Sequence, residues 1–278
     1  MKRILALVLA LITVATAALA FASCGQVDDW AKIQENGKFV CGITIYEPIN
    51  YYEDPNDTST LIGFDTELAK LVAAKLGVEV EFQVIEWDMK YIELNTNTID
   101  CIWNGFTSNS KDDDGIERRD KVDFTYAYLD NAQCVVVNKN KLASITSAAS
   151  LAGLVGTAEN GSAGATFAKS VTDRELVGKT SQMDTFTEVL FNTVDFAVVD
   201  VLLAEEIVGK GDFADLAIVE TIDIDKEVYS IGCRKNSNFD EKINAALVEL
   251  LNEGKIEELA VKYDVHITDS LMAMKTAK

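Results

Sequence analysis

The chain runs to 278 residues, enough for one large domain or for two lobes with separate cores, and its 48% hydrophobic and 25% charged residues with only two prolines exclude a disordered or low-complexity chain. A formal charge of -20 makes nucleic acid an unsuitable partner, because phosphate is repelled by such a surface. Net charge leaves the charge of a small ligand open, since a buried site answers to its own few groups.

At the N-terminus, Lys2 and Arg3 precede an uncharged run from Ile4 to Ala22, rich in Leu, Ala and Val. That is the pattern of a secretory signal, and it is also nearly long enough for an uncleaved membrane anchor. The stretch AFASCG that follows resembles a bacterial lipobox, with Ala22 and Ser23 before Cys24. Phe21 departs from the usual Leu, and Ala20-x-Ala22 also suits ordinary signal peptidase. The expectation is a signal peptide over residues 1–23 and a lipidated Cys24 opening the mature chain. The first 23 residues hold no acid, so loss of the two positive charges of Lys2 and Arg3 takes the formal charge from -20 to -22.

Further along, Asp29 to Asn36 reads as a short helix, with Gly37 free to take the left-handed cap. KFVCGITI follows as a strand. In GFDTELAKLVAAKLG, Leu68, Leu71, Val72 and Leu76 recur at helical spacing, Asp65 is placed to accept from first-turn amides, and Gly77 stops the helix. VEVEFQVI alternates at period two. CIWNGF is a short apolar strand that breaks at Asn104-Gly105 into a charged loop holding Lys111, Arg118 and Arg119. VDFAVVD is a further strand, followed by the helical VLLAEEIV. The alternation predicts an α/β protein with mostly parallel sheets flanked by helices.

Phe239 to Tyr263 reads as two helices separated near Gly254, and the tail HITDSLMAMKTAK is too short and polar to span a membrane. Cys41, Cys101, Cys134 and Cys233 each sit in a predicted strand among apolar neighbours, which favours free buried thiols, although spacing alone cannot fix connectivity. The sole histidine, His266, reads as a surface residue, no Cys/His spacing suggests zinc, and no cofactor is expected. Asp112-Asp113-Asp114-Gly115 lacks the distal bidentate Glu of a calcium loop and reads as a solvated turn.

Gly63-Phe64-Asp65-x-Glu67-Leu68 with its helix resembles the signature of the family 3 extracellular solute-binding proteins, the amino-acid receptors of ABC importers. NGKFVCGITIYEPI, IDCIWNGFT, VDFTYAY, GSAGATF, VDFAVVD and LLNEGKIEELAVKY extend that resemblance, in order, over nearly the whole mature chain. It implies a two-lobed type II periplasmic-binding fold crossed twice by the chain, near Tyr126 to Asn131 and Glu227 to Gly232. Residues 24–37 would form the lipidated N-terminus, linker and short helix, 38–128 and 229–266 lobe one, 129–228 lobe two, and 267–278 a tail. The implied function is capture of a free amino acid and its delivery to a membrane permease by a lipid-anchored monomer. An enzyme of dehydratase type on the same fold and a ligand-sensing module are the alternatives; no nucleophile–base pair stands out.

An α-amino acid presents a carboxylate and an ammonium a few ångströms apart, and a closed cleft must pair both. By resemblance, Arg118, five residues before Asp123 of VDF, grips the carboxylate through the fork that Lys lacks. An insertion lengthens the path from Thr107 to Arg118, which brings Lys111 nearer the family's usual distance from the strand and leaves it as the competing candidate. Asp200 is implied as the ammonium partner, with a helix N-cap as its other possible role. Asn104, Gly105 and Thr107 are implied at the cleft edge, Asn104 being bulkier than the usual serine. Gly161 and Ser162 with Ala163 would offer amides at a helix start. Tyr46 would wall the ligand. Trp87 and Trp103 are candidates for cleft or core.

Overall fold

The computed structural model describes residues 28–276, so the signal segment and Cys24 lie outside the described residues. The first half of the chain supplies β1 (Lys38–Ile43), the hairpin β2 (Tyr51–Asp54) and β3 (Asp57–Ile62), β4 (Glu79–Val84), β5 (Cys101–Ile102) and β6 (Val122–Phe124). Next come β7 (Leu129–Asn138), β8 (Gly156–Glu159), β9 (Val177–Lys179), β10 (Phe196–Asp200), β11 (Leu216–Ile218) and β12 (Lys226–Tyr229), and β13 (Gly232–Arg234) returns. They build two principal sheets: β4-β1-β5-β13-β6, and β11-β7-β10-β8-β9 with β12 pairing β7.

Each sheet has a parallel part, β4-β1-β5 in one and β10-β8-β9 in the other. Antiparallel strands join where the chain crosses and comes back: β7 runs against β10, β11 and β12, and β13 runs against β5 and β6. The sheets are therefore mixed, where helical crossovers alone would give parallel order. Between the sheets the chain makes two passes side by side, with Leu129 opposite Tyr229 and the Thr125 amide donating to the Ile231 carbonyl at 3.0 Å.

The helix Phe64–Leu76 shows how local sequence sets a wall of the first sheet. Phe64, Leu68, Ala69, Val72 and Ala73 are buried on one side, and Gly77 closes the helix at φ 72°. Gly63 is its N-cap residue, and Asp65 does not cap it. The Asp65 carboxylate turns inward instead, accepting from the Gly105 amide at 3.0 Å and the Tyr128 hydroxyl at 2.8 Å. It thereby ties the helix to the end of β5.

The return of the chain to the first sheet is locked by a buried cation. Arg234 donates to Asp29 at 2.8 Å, to Asp100 at 3.0 Å and to the carbonyls of Leu94 and Ile99. Two helices follow, Phe239–Asn252 and Lys255–Lys262, with Gly254 between them at φ 80°. The four cysteines are free and buried, and the Sγ atoms of Cys41 and Cys101 lie 3.6 Å apart on neighbouring strands. His266 is exposed. Among the described residues, no helix is long and apolar enough to cross a membrane.

Candidate functional site

Strand ends of both sheets converge on one small cavity, lined by Trp87, Asn104, Gly105, Thr107, Arg118, Gln133, Glu159, Ser162, Ala163, Gln182 and Asp200. Asn104 to Thr107 follow β5, Glu159 ends β8, and Asp200 ends β10. Open α/β sheets bind ligands at such edges, because backbone groups and loop side chains emerge there while the strands beneath stay fixed.

Arg118 is 1% exposed and opens the short helix Arg118–Lys121. Its Nε donates to Asp112 at 2.9 Å, Nη1 to the Thr107 carbonyl at 3.2 Å and Nη2 to the Gly161 carbonyl at 3.3 Å. Asp112 holds Nε as a fixed counter-charge, while both terminal nitrogens rest on neutral carbonyls. Burial acts to raise the Asp112 carboxyl, but the Arg118 charge and the hydrogen bonds from Tyr91 and Lys121 outweigh it and hold the group low. Lys111 lies elsewhere: it is exposed and 3.5 Å from Glu117.

Asp200 faces the cavity from the second sheet. It occupies the N-cap position of the helix Val201–Ile207, yet its carboxylate makes no capping bond. It accepts instead from Asn131 at 2.7 Å, from Gln133 at 2.6 Å and from Gln182. Glu227 shares two of those donors, accepting from Asn131 at 3.1 Å and Gln133 at 2.9 Å, with Thr107 Oγ1 at 3.0 Å. Burial raises the carboxyls of both, and for Glu227 the Asp200 charge adds to it. Glu159 is pushed up to about 8 by burial and then by the Asp200 charge. Lys90 is pulled down to about 7 by burial and then by the Arg118 charge; its Nζ donates to the carbonyls of Trp87 and Gly161 at 3.1 and 3.0 Å.

The cavity thus gathers Arg118, Asp200, Thr107, Asn104, Gly105, Ser162 and Trp87 on its wall, while Tyr46 and Gly161 stand behind it. Tyr46 is buried, its hydroxyl against Gly105, where a β-carbon would come within 2.0 Å of it. The Asn104 amide is committed inward: Oδ1 accepts from the Thr44 amide and from Asn50, both at 2.8 Å, and Nδ2 donates to Thr44 Oγ1 at 2.5 Å. The Gly105 amide serves Asp65, and the Ser162 amide donates to the Glu159 carbonyl at 3.2 Å. Ser162 Oγ caps the helix Ala163–Val171 through the Ala165 amide at 2.9 Å. Trp103 is core.

The sequence reading passed over Glu159, Lys90, Gln133, Gln182, Asn131 and Glu227. One signal was available for two of them: Asn131 and Gln133 stand two apart ahead of the apolar run Cys134 to Val137, so both amides fall on one face. Of the acidic turn expected to be solvated, Asp113, Asp114 and Gly115 are exposed and Asp112 is not. Asp112 is buried on Arg118, Lys121 and Tyr91, and Asp113 reaches across to Lys169 at 2.5 Å and Thr166 at 3.0 Å on the helix of the second sheet.

Residues 39–266 match the model of the bacterial extracellular solute-binding proteins, family 3. The chain belongs to this family. The arginine-binding extracellular protein ArtP of Bacillus subtilis (strain 168) is 28% identical over 260 residues, 92% of this chain and 96% of that protein. A solved ABC uptake transporter substrate-binding protein from Streptococcus pneumoniae with bound histidine superposes with a TM-score of 0.75 at 28% identity, covering 85% of this chain and 96% of that one. The ancestral amino acid-binding protein AncCDT-1, a precursor of cyclohexadienyl dehydratase, shares the fold with a TM-score of 0.73 at 24% identity over 85% of this chain and 99% of that one.

Proposed function

We propose that this solute-binding protein captures one free amino acid between its two lobes and offers the closed form to an ABC importer permease, acting as a binding protein without catalysis. A single arrangement carries the reading: a buried guanidinium whose terminal nitrogens rest on carbonyls, and a buried carboxylate, face one cavity from different sheets. An α-amino acid is the small molecule that brings a carboxylate to the first and an ammonium to the second. Arg118 takes the carboxylate by its Nη pair, and Asp200 takes the ammonium. Thr107, Ser162 and Trp87 close the walls around them.

Lobe one would comprise residues 38–128 and 229–266, and lobe two residues 129–228, in keeping with β1 to β6 and β13 on one side and β7 to β12 on the other. Cys24 would carry the lipid that holds this monomer on the outer face of the membrane, which rests on AFASCG alone. Radiolabelled fatty acid incorporated by the wild type and lost in Cys24→Ala tests that anchor. For the ligand, a thermal-shift screen of the twenty amino acids decides, since one at 100 times its dissociation constant adds about 2.7 kcal/mol. No shift with any of them would reject the reading.

A further inference from the structure

The cavity holds more carboxyl groups than a plain amino acid requires. Four carboxyl groups, Asp112, Glu159, Asp200 and Glu227, stand in or directly behind its wall against three cations, Lys90, Arg118 and Lys121. A zwitterion adds one charge of each sign and leaves that excess in place. Asp112 is neutralised by Arg118 and Lys121, Asp200 and Glu227 share the amides of Asn131 and Gln133, and Asp200 also accepts from Gln182.

Glu159 has no such support. It is 3% exposed, lines the cavity, and its carboxylate accepts no hydrogen bond and forms no ion pair among the described residues. A buried carboxylate without partners is costly, so a protein that retains one has a use for it when a ligand is present. Its place is defined by the sheet: β8 runs parallel to β10, the two strands end at the cavity with Glu159 and Asp200, and the Asp200 charge acts on the Glu159 carboxyl.

Resting on the amino-acid reading above, we propose that Glu159 selects the ligand's side chain and that the cleft takes an amino acid carrying a second positive charge. With Asp200 on the α-ammonium, Glu159 is the carboxylate left for the ammonium, guanidinium or imidazolium at the far end. The cation supplies the partner that Glu159 lacks among the described residues, and it offsets part of the carboxyl excess. Lys90 acts on Glu159 only at a distance: its Nζ is directed to the Trp87 and Gly161 carbonyls, lies 4.8 Å from the centre of the Trp87 ring, and forms no ion pair among the described residues.

Calorimetric titration with arginine, lysine, ornithine and histidine against the neutral citrulline, norleucine and glutamine tests the proposal. The wild type should bind at least one basic member roughly 30-fold or more tightly than its neutral counterpart, and Glu159→Gln should remove that margin while changing neutral ligands less than about threefold. Equal affinity of basic and neutral ligands for the wild type would overturn it. So would an equal loss for both classes in Glu159→Gln, which would put Glu159 on the α-ammonium. Should the variant fail to fold, the wild-type comparison alone decides. Binding of neutral amino acids only would overturn this proposal and leave the amino-acid reading standing; binding of none would overturn both.

Discussion

At the scale of single residues, the decisive contrast is between two cations of one loop. Arg118 is buried with two nitrogens on backbone carbonyls, whereas Lys111 lies in solvent beside Glu117. Removing a buried charge-assisted partner costs about 3 to 5 kcal/mol, so Arg118→Ala should weaken amino-acid binding on the order of 100-fold to 1000-fold or more. Arg118→Lys should recover only part, having lost the fork. Lys111→Ala should change affinity less than about threefold, and calorimetry on all three checks this. Asp65 offers a second test. Burial lifts its carboxyl to about 7 despite the bonds from Tyr128 and Gly105. An unfolded chain ionises it near the ordinary value of about 3.9, so the wild type sheds stability as pH rises from there towards the folded value. Asp65→Asn should therefore gain on the wild type by about 1 kcal/mol per unit between roughly pH 5 and 7, as read by urea unfolding at each pH. Arg118 was legible in the sequence because five residues tie it to VDF. Glu159 was not, since its isolation is a property of three-dimensional neighbours.

Among the elements, the inserted loop around Asp112 to Asp114 behaves as a clasp. Its root is fixed to its own side by Asp112 on Arg118 and Lys121 and by Asp114 on Lys121 at 2.7 Å. Its tip, Asp113, meets Lys169 and Thr166 on the helix Ala163–Val171. Contacts of this kind exist only while the lobes are together, so they act on dissociation more than on folding. Asp113→Ala should speed ligand release by about twofold to fivefold at low salt, and the difference should shrink in high salt because both partners are solvent-exposed. Stopped-flow release at two ionic strengths, with unchanged thermal stability of the ligand-free protein, checks it. Helical spacing and glycine stops made the long helices legible. The mixed order of the sheets was not: β12 and β13 are four- and three-residue strands that pair with segments roughly a hundred positions away, and no local period announces that.

For the whole molecule, closure and protonation are coupled. Cross-lobe contacts hold the cleft shut here: Lys90 and Arg118 reach the Gly161 carbonyl, and Asp113 reaches Lys169. Shutting it without a ligand strips water from Glu159, Asp200 and Glu227, and burial raises all three carboxyls, Glu159 to about 8. With the lobes apart, water solvates these groups and their ordinary values near 4 return. The closed form therefore holds more protons on its carboxylates, and acid favours it. Lys90 opposes this, since burial lowers it to about 7 and the closed form gives up its proton more readily. Between about pH 8 and 6 the closed form takes up the Glu159 proton at higher pH than it regains that of Lys90, and Asp200 and Glu227 act in the same direction as Glu159, so the net direction is acid-driven closure. Ligand-free protein should contract in solution scattering as pH falls from about 8 to about 6, remaining monomeric, and saturating ligand should give the compact profile at both pH values. Ligand-free profiles that coincide at the two pH values would separate closure from the cleft carboxylates, and a ligand-saturated profile no smaller than the free one would remove hinge closure itself.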